Sequence, residues 1–116
     1  MQLQVNKATV KAFATVCSYG YTQPWALVPI QNFVRSACER LIPKLSRLYR
    51  KISQPRALHG RKKPRKLPET VSLKLNDQDA LLLYFCIEVF AADFPQSLET
   101  LLCKEHFLNE INQLQS

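Results

Sequence analysis

Glycine is almost missing from this sequence, with two in 116 residues. An all-β protein must reverse its chain many times, and a phosphate-cradling loop needs positions without side chains, so both are disfavoured. Long apolar runs are missing as well. The longest, Ala80 to Ile87, stops at Glu88, whereas a helix needs ~20 apolar residues to cross a bilayer. The opening MQLQVNKATV has no basic segment leading into a continuous apolar stretch, so no secretory leader is read in it. An intracellular, cytoplasmic protein without a membrane partner is expected.

Paired metal-ligand spacings are absent too. Cys17, Cys38, Cys86 and Cys103 form no C-x-x-C pair, and His59 and His106 do not stand at ligand spacing from them. Each cysteine falls inside an apolar helical pattern, which predicts reduced, packed core thiols and no metal or other cofactor. No nucleophile–base–orienter set and no P-loop is present, nor do paired carboxylates flank a histidine. His106, on the last predicted helix, reads as a surface or half-buried side chain. A protein without catalytic residues, not an enzyme, is expected.

The last absence is local. The chain carries 16 Lys+Arg against 9 Asp+Glu, a net +7. Residues 35–66 hold twelve basic side chains and one acid, Glu39, for a net +11. Residues 1–34 carry +2 and residues 67–116 carry −6. So uneven a distribution points to an anionic partner for the middle segment, with nucleic acid first.

What is present is mostly helical periodicity. Val5, Ala8, Ala12, Phe13, Val16 and Cys17 repeat at helical spacing, with Gly20 available as a stop. Thr22 and Pro24 open a second stretch reaching Ile52, and Pro43 within it predicts a kink or break. Residues 53–68, with three prolines and no acid, read as a long basic loop. Thr70 to Leu75 alternates polar and apolar, a short strand or an extended approach to a helix. Asn76 then caps a helix, with Asp79 placed to answer it. Ala80–Ala92 is apolar almost all round and is expected at the centre of the fold. Asp93-Phe94-Pro95 stops it. Ser97 caps a last helix expected to bury Leu98, Leu101, Leu102, Leu108, Ile111 and Leu114. No internal repeat is read. The expected fold is all-α: one domain over residues 1–116, a compact bundle of about five helices.

Three groups of residues are candidates for function. Arg40, Lys44, Arg47 and Lys51, at +4, +3 and +4, form a basic stripe on one helix face, with Arg50 beside it. Solvated faces usually mix signs for i,i+4 pairing, and this one does not. Arg56, Arg61, Lys62, Lys63, Arg65 and Lys66 continue the run into the loop, where a phosphate backbone would bind through counterion release. Tyr19, Tyr21 and Trp25 cluster around a turn, either packing a helix corner or stacking on unpaired bases.

Two families share features with this pattern. About five helices in a basic chain of this size, with a cationic helix face and loop, resemble the small subunit of multisubunit CRISPR surveillance complexes. That resemblance implies a non-catalytic subunit of a ribonucleoprotein, present in several copies and lining a positive groove for DNA or RNA strands. The stripe and the 56–66 run would then contact the strands. Locally, TVSLKLNDQDALLLYF followed by SLETLLCKEHFLNEI resembles a ribbon–helix–helix DNA-binding module. That implies a dimer whose paired strands enter the major groove, with Thr70, Ser72 and Lys74 as base-reading side chains. A third possibility, from charge alone, is an adaptor stacking head to tail, acidic end against basic middle.

Overall fold

A computed structural model describes residues 2–53 and 69–108. The basic residues 56–66 of the expected loop, together with Ile111 and Leu114, lie outside the described residues, as do the side chains of His106 and Leu108. In chain order the elements are β1 (Gln2–Asn6), α1 (Lys7–Thr22), α2 (Val28–Ser53), β2 (Thr70–Lys74), α3 (Asp77–Asp93) and α4 (Leu98–Cys103). A wider π turn, Lys104–Leu108, continues α4. The molecule is mostly helical, as expected, but its described residues form four helices and a small two-stranded antiparallel sheet rather than five helices alone.

The first correction is at Val5, expected in a helix. QLQVN alternates polar and apolar with a period of two, and the structure follows that period. Leu3 and Val5 point inward while Gln2, Gln4 and Asn6 point outward. Helix α1 starts at Lys7, two residues later than expected, capped by the Asn6 carboxamide, which accepts from Thr9 N–H at 2.9 Å. Gly20 does not end this helix. It lies inside α1, where a Cβ atom would collide with Cys86 Sγ, so glycine is what lets α1 and α3 approach closely.

Pro43 does not break α2, which runs unbroken from Val28 to Ser53. Val34, Ala37, Cys38 and Leu41 before the proline and Leu45 and Ile52 after it bury one continuous face. Pro43 itself is exposed, so its missing N–H falls on the solvent side and core packing holds the helix together. The start at Val28 rather than Pro24 leaves Pro29 in the first turn, where an N–H has no helical partner in any case.

Helix α3 is less buried than its composition predicts. Leu82, Leu83, Cys86, Ile87, Phe90 and Ala91 enter the core, but Leu81 is 48% and Tyr84 39% exposed. Helix α4 is turned from its expected orientation: Leu98 and Leu101 face solvent, and Thr100, Cys103 and Phe107 face inward. The buried Thr100 hydroxyl is tolerated because it donates to the Phe94 carbonyl at 2.7 Å and also lies 2.9 Å from Ser97 Oγ. Phe13 and Phe107 meet edge to face at the centre, with ring centroids 6.1 Å apart.

All four cysteines are buried and unpaired, as their patterns predict. Hydrogen bonding with Cys38 and Cys86, together with burial, holds the Cys17 thiol well above its ordinary pKa. Burial, with Glu99 nearby, pushes Cys103 up to about 12. Both groups therefore stay protonated in the folded state up to higher pH than in the unfolded chain. The stability this carries is complete below the ordinary thiol pKa of 9.0 and, for Cys103, is lost as pH rises toward about 12. At pH 8 a maleimide or iodoacetamide should leave Cys17 and Cys103 unlabelled until denaturant is added. Rapid modification of either in the native protein would contradict this packing.

The two halves of the chain also repeat one another. Asn6 caps α1 by accepting from the N–H three residues on, and Asn76 does the same for α3, from Asp79 N–H at 2.8 Å. These caps are 70 residues apart, as are Leu3 and Leu73, which face each other across the sheet, and the starts of α2 and α4. The buried Ala12, Phe13, Val16, Cys17 and Gly20 of α1 correspond at that same offset to Leu82, Leu83, Cys86, Ile87 and Phe90 of α3. The strand register, Gln2 with Lys74 and Gln4 with Ser72, is symmetric about the Leu3–Leu73 pair.

Candidate nucleic-acid interface

The ribbon formed by β1 and β2 has two faces of opposite character. Leu3, Val5, Val71 and Leu73 pack into the core. The outer face carries Gln2, Gln4, Asn6, Thr70, Ser72 and Lys74, all polar and all exposed. Such alternation follows from the two-residue period of a strand, and the apolar half of the pattern decides which side is buried. Gln2 and Gln4 both donate to Ser72 Oγ, at 3.0 and 2.8 Å, so these three side chains form one connected set across the ribbon. Asn6 is committed elsewhere, to Thr9.

Helix α2 brings the basic stripe to one end of this ribbon. Lys44 Nζ donates to the Lys74 backbone carbonyl, which brings α2 against the end of the ribbon where β2 leads into α3. A shallow groove there is lined by Gln2, Lys44, Lys74, Asn76 and Asp79. One turn back along α2, Arg40 faces the Asp79 carboxylate at 3.9 Å with its side chain 56% exposed. The Asp79 side chain is only 14% exposed, but at 3.9 Å it makes no hydrogen bond to the guanidinium, which still faces solvent. Farther along, Arg47, Arg50 and Lys51 are exposed, and on an unbroken α2 the 40-44-47-51 stripe lies along one helix. At the opposite end of the ribbon, Lys7 Nζ lies 5.7 Å from the centre of the Tyr49 ring, so α2 passes close to both strand ends.

The three aromatic candidates are tied into the helix corner. The Tyr19 hydroxyl donates to the Asp93 carboxylate, and its ring packs edge-on against Phe90 and Phe94, with centroids 5.3 and 5.6 Å away. That hydrogen bond raises the Tyr19 pKa. Tyr21 OH donates to Glu39 at 3.3 Å, and Trp25 Nε1 donates to the Gly20 carbonyl at 3.0 Å. Trp25 thereby satisfies a carbonyl in the last turn of α1, a packing role. The stripe is therefore brought beside the ribbon, while Tyr19 is engaged against the end of α3, Tyr21 with Glu39 of α2 and Trp25 with the end of α1.

No family model, curated protein or solved structure matches the chain. Among the described residues, no cluster of three or more histidine, cysteine or acidic side chains is placed to hold a metal ion. No helix among them is long and apolar enough to cross a membrane.

Gln2 and Gln4 were not among the residues singled out from the sequence. Their signal was present in the QLQVN alternation, but five residues cannot show which strand will pair with them. The answer lies 70 residues away, in β2.

Proposed function

We propose that this protein binds duplex DNA by laying the outer face of the β1–β2 ribbon in the major groove, while the α2 stripe grips the adjacent backbone. The observation that carries this reading is the ribbon itself, fully polar on its outer face and anchored by an apolar inner face. A major groove ~12 Å wide admits a two-stranded ribbon. The A-form groove of RNA is too narrow to be read this way, which favours DNA. Glutamine carboxamides suit the adenine edge and a lysine ammonium suits guanine, while Ser72 can donate or accept. The reading is that of a ribbon–helix–helix regulator, with the difference that both strands come from one chain.

The test is selection of bound sequences from a randomised duplex pool, followed by binding titrations. Gln4→Ala and Lys74→Ala are each expected to reduce discrimination for the selected site by roughly 10- to 100-fold, as one bidentate base contact is worth about 1–3 kcal/mol. Non-specific binding should persist in both. Unchanged discrimination would remove the ribbon from the interface.

The exposed stripe on an unbroken α2 also suits a subunit lining a groove for nucleic-acid strands in a larger CRISPR complex. That reading expects single and double strands to bind without sequence preference and the ribbon variants to be neutral. Indifference to all nucleic acid would leave the head-to-tail adaptor.

A further inference from the structure

A ribbon made by two identical copies presents the same side chains on both sides of its centre. This one does not. The register centres on Leu3 opposite Leu73, and the outward pair on one side is Gln2 with Lys74, on the other Gln4 with Ser72. The offset of 70 residues that relates the two caps carries Gln2 onto Ser72 and Gln4 onto Lys74. Glutamine is thus exchanged for serine at one pair of equivalent positions and for lysine at the other.

The backbone grip is unequal too. Helix α2 is 26 residues long and carries Arg40, Lys44, Arg47, Arg50 and Lys51. Among the described residues its counterpart by the same offset, residues 98–108, places Lys104 opposite Val34 and Glu105 opposite Arg35. Lys44 reaches the ribbon at Lys74, the end where Gln2 and Lys74 pair, and α2 continues toward the other end, where Tyr49 lies beside Lys7.

We infer that one chain supplies both halves of the reading ribbon and binds, as a monomer, a single asymmetric duplex site. The inference rests on the ribbon reading above and names its ligand class. Because β1 already occupies the edge of β2 that a second copy would fill, both half-sites are covered by one molecule. The half under Gln2 and Lys74 has an ammonium that only donates, matched to guanine O6 and N7, beside a carboxamide matched to adenine. The half under Gln4 and Ser72 has a carboxamide and a hydroxyl, and lacks the ammonium. A sequence satisfying one half leaves groups unpaired on the other, so an inverted repeat of either half is the poorer ligand.

The experiment is selection from a randomised duplex pool with the full chain, with the stoichiometry of the selected complex measured by native mass spectrometry. The expected motif is non-palindromic, with one chain per duplex, and bound about tenfold or more tightly than either palindrome built from its halves. A second arm uses the double variant Ser72→Gln with Lys74→Gln, which places the same outward residues in both halves. Its selected motif should become an inverted repeat, still at one chain per duplex. Both positions are exposed, and an unchanged circular dichroism spectrum establishes that the variant is folded. A palindromic wild-type motif, two chains per site, or an asymmetric motif retained by the folded double variant would overturn the inference while leaving the ribbon reading in place. Failure of the wild type to enrich any duplex would overturn the ribbon reading, and this inference with it.

Discussion

Replacing Arg47 and Lys51 together by glutamate is expected to weaken duplex binding about 30-fold or more at physiological salt, with little effect on folding. Both side chains are exposed on the stripe that follows Lys44 along α2. Each phosphate of B-DNA that the protein ceases to neutralise takes about 0.9 off the slope of log affinity against log salt. At ~0.15 M salt that is roughly fivefold per phosphate, so two phosphates give about 30-fold, and the reversed charges add repulsion. The slope itself should flatten by about 2. The weakening should be similar on every duplex, in contrast to the ribbon variants, which change discrimination between duplexes. Titrations at several salt concentrations measure both quantities. Full affinity and an unaltered slope would exclude the stripe from the DNA backbone.

The largest expected effect on stability is at Phe13. Its side chain is fully buried where α1 faces the C-terminal helical segment, edge-on to Phe107. Phe13→Ala should cost about 3–5 kcal/mol, combining the transfer energy of the ring with the cavity left behind. A domain of this size has ~5–15 kcal/mol in total, so the variant is expected to be marginal. Phe13→Leu keeps more of the volume and should cost clearly less. Urea midpoints of the two variants check the order. A change below ~1 kcal/mol in Phe13→Ala would mean that the Phe13–Phe107 pair is not central to the core.

Much of the local structure was legible because local chemistry governs it. The Asn76 and Ser97 caps follow from side-chain oxygens placed three residues before an orphan N–H, and the structure holds both. The buried cysteines follow from helical apolar spacing. Where local signals competed, tertiary packing decided. Pro43 is a helix breaker in isolation, yet apolar packing on both sides of it carries α2 through. Leu98 and Leu101 are good core candidates by composition, but Thr100 and Cys103 take the inner face of α4 once the Phe94 carbonyl satisfies the threonine.

The candidate site divides in the same way. The basic stripe on α2 and the outward Thr70, Ser72 and Lys74 could be read from spacing, because helical and strand periods are intrinsic to the backbone. The other half of the ribbon could not. At an offset of 70 residues the two halves share only Leu3/Leu73 and Asn6/Asn76 as identities from residue 2 to residue 38. So sparse a match carries no repeat signal in the sequence, although α1 and α3 share five buried positions at that offset. By itself the sequence determined the mainly helical class, the Asn76 and Ser97 caps and the +11 band, all set by neighbours within a few residues. Only the tertiary structure decided that Gln2 and Gln4 share a surface with Ser72 and Lys74, because strand pairing depends on a partner distant in the chain and on the apolar face both strands bury.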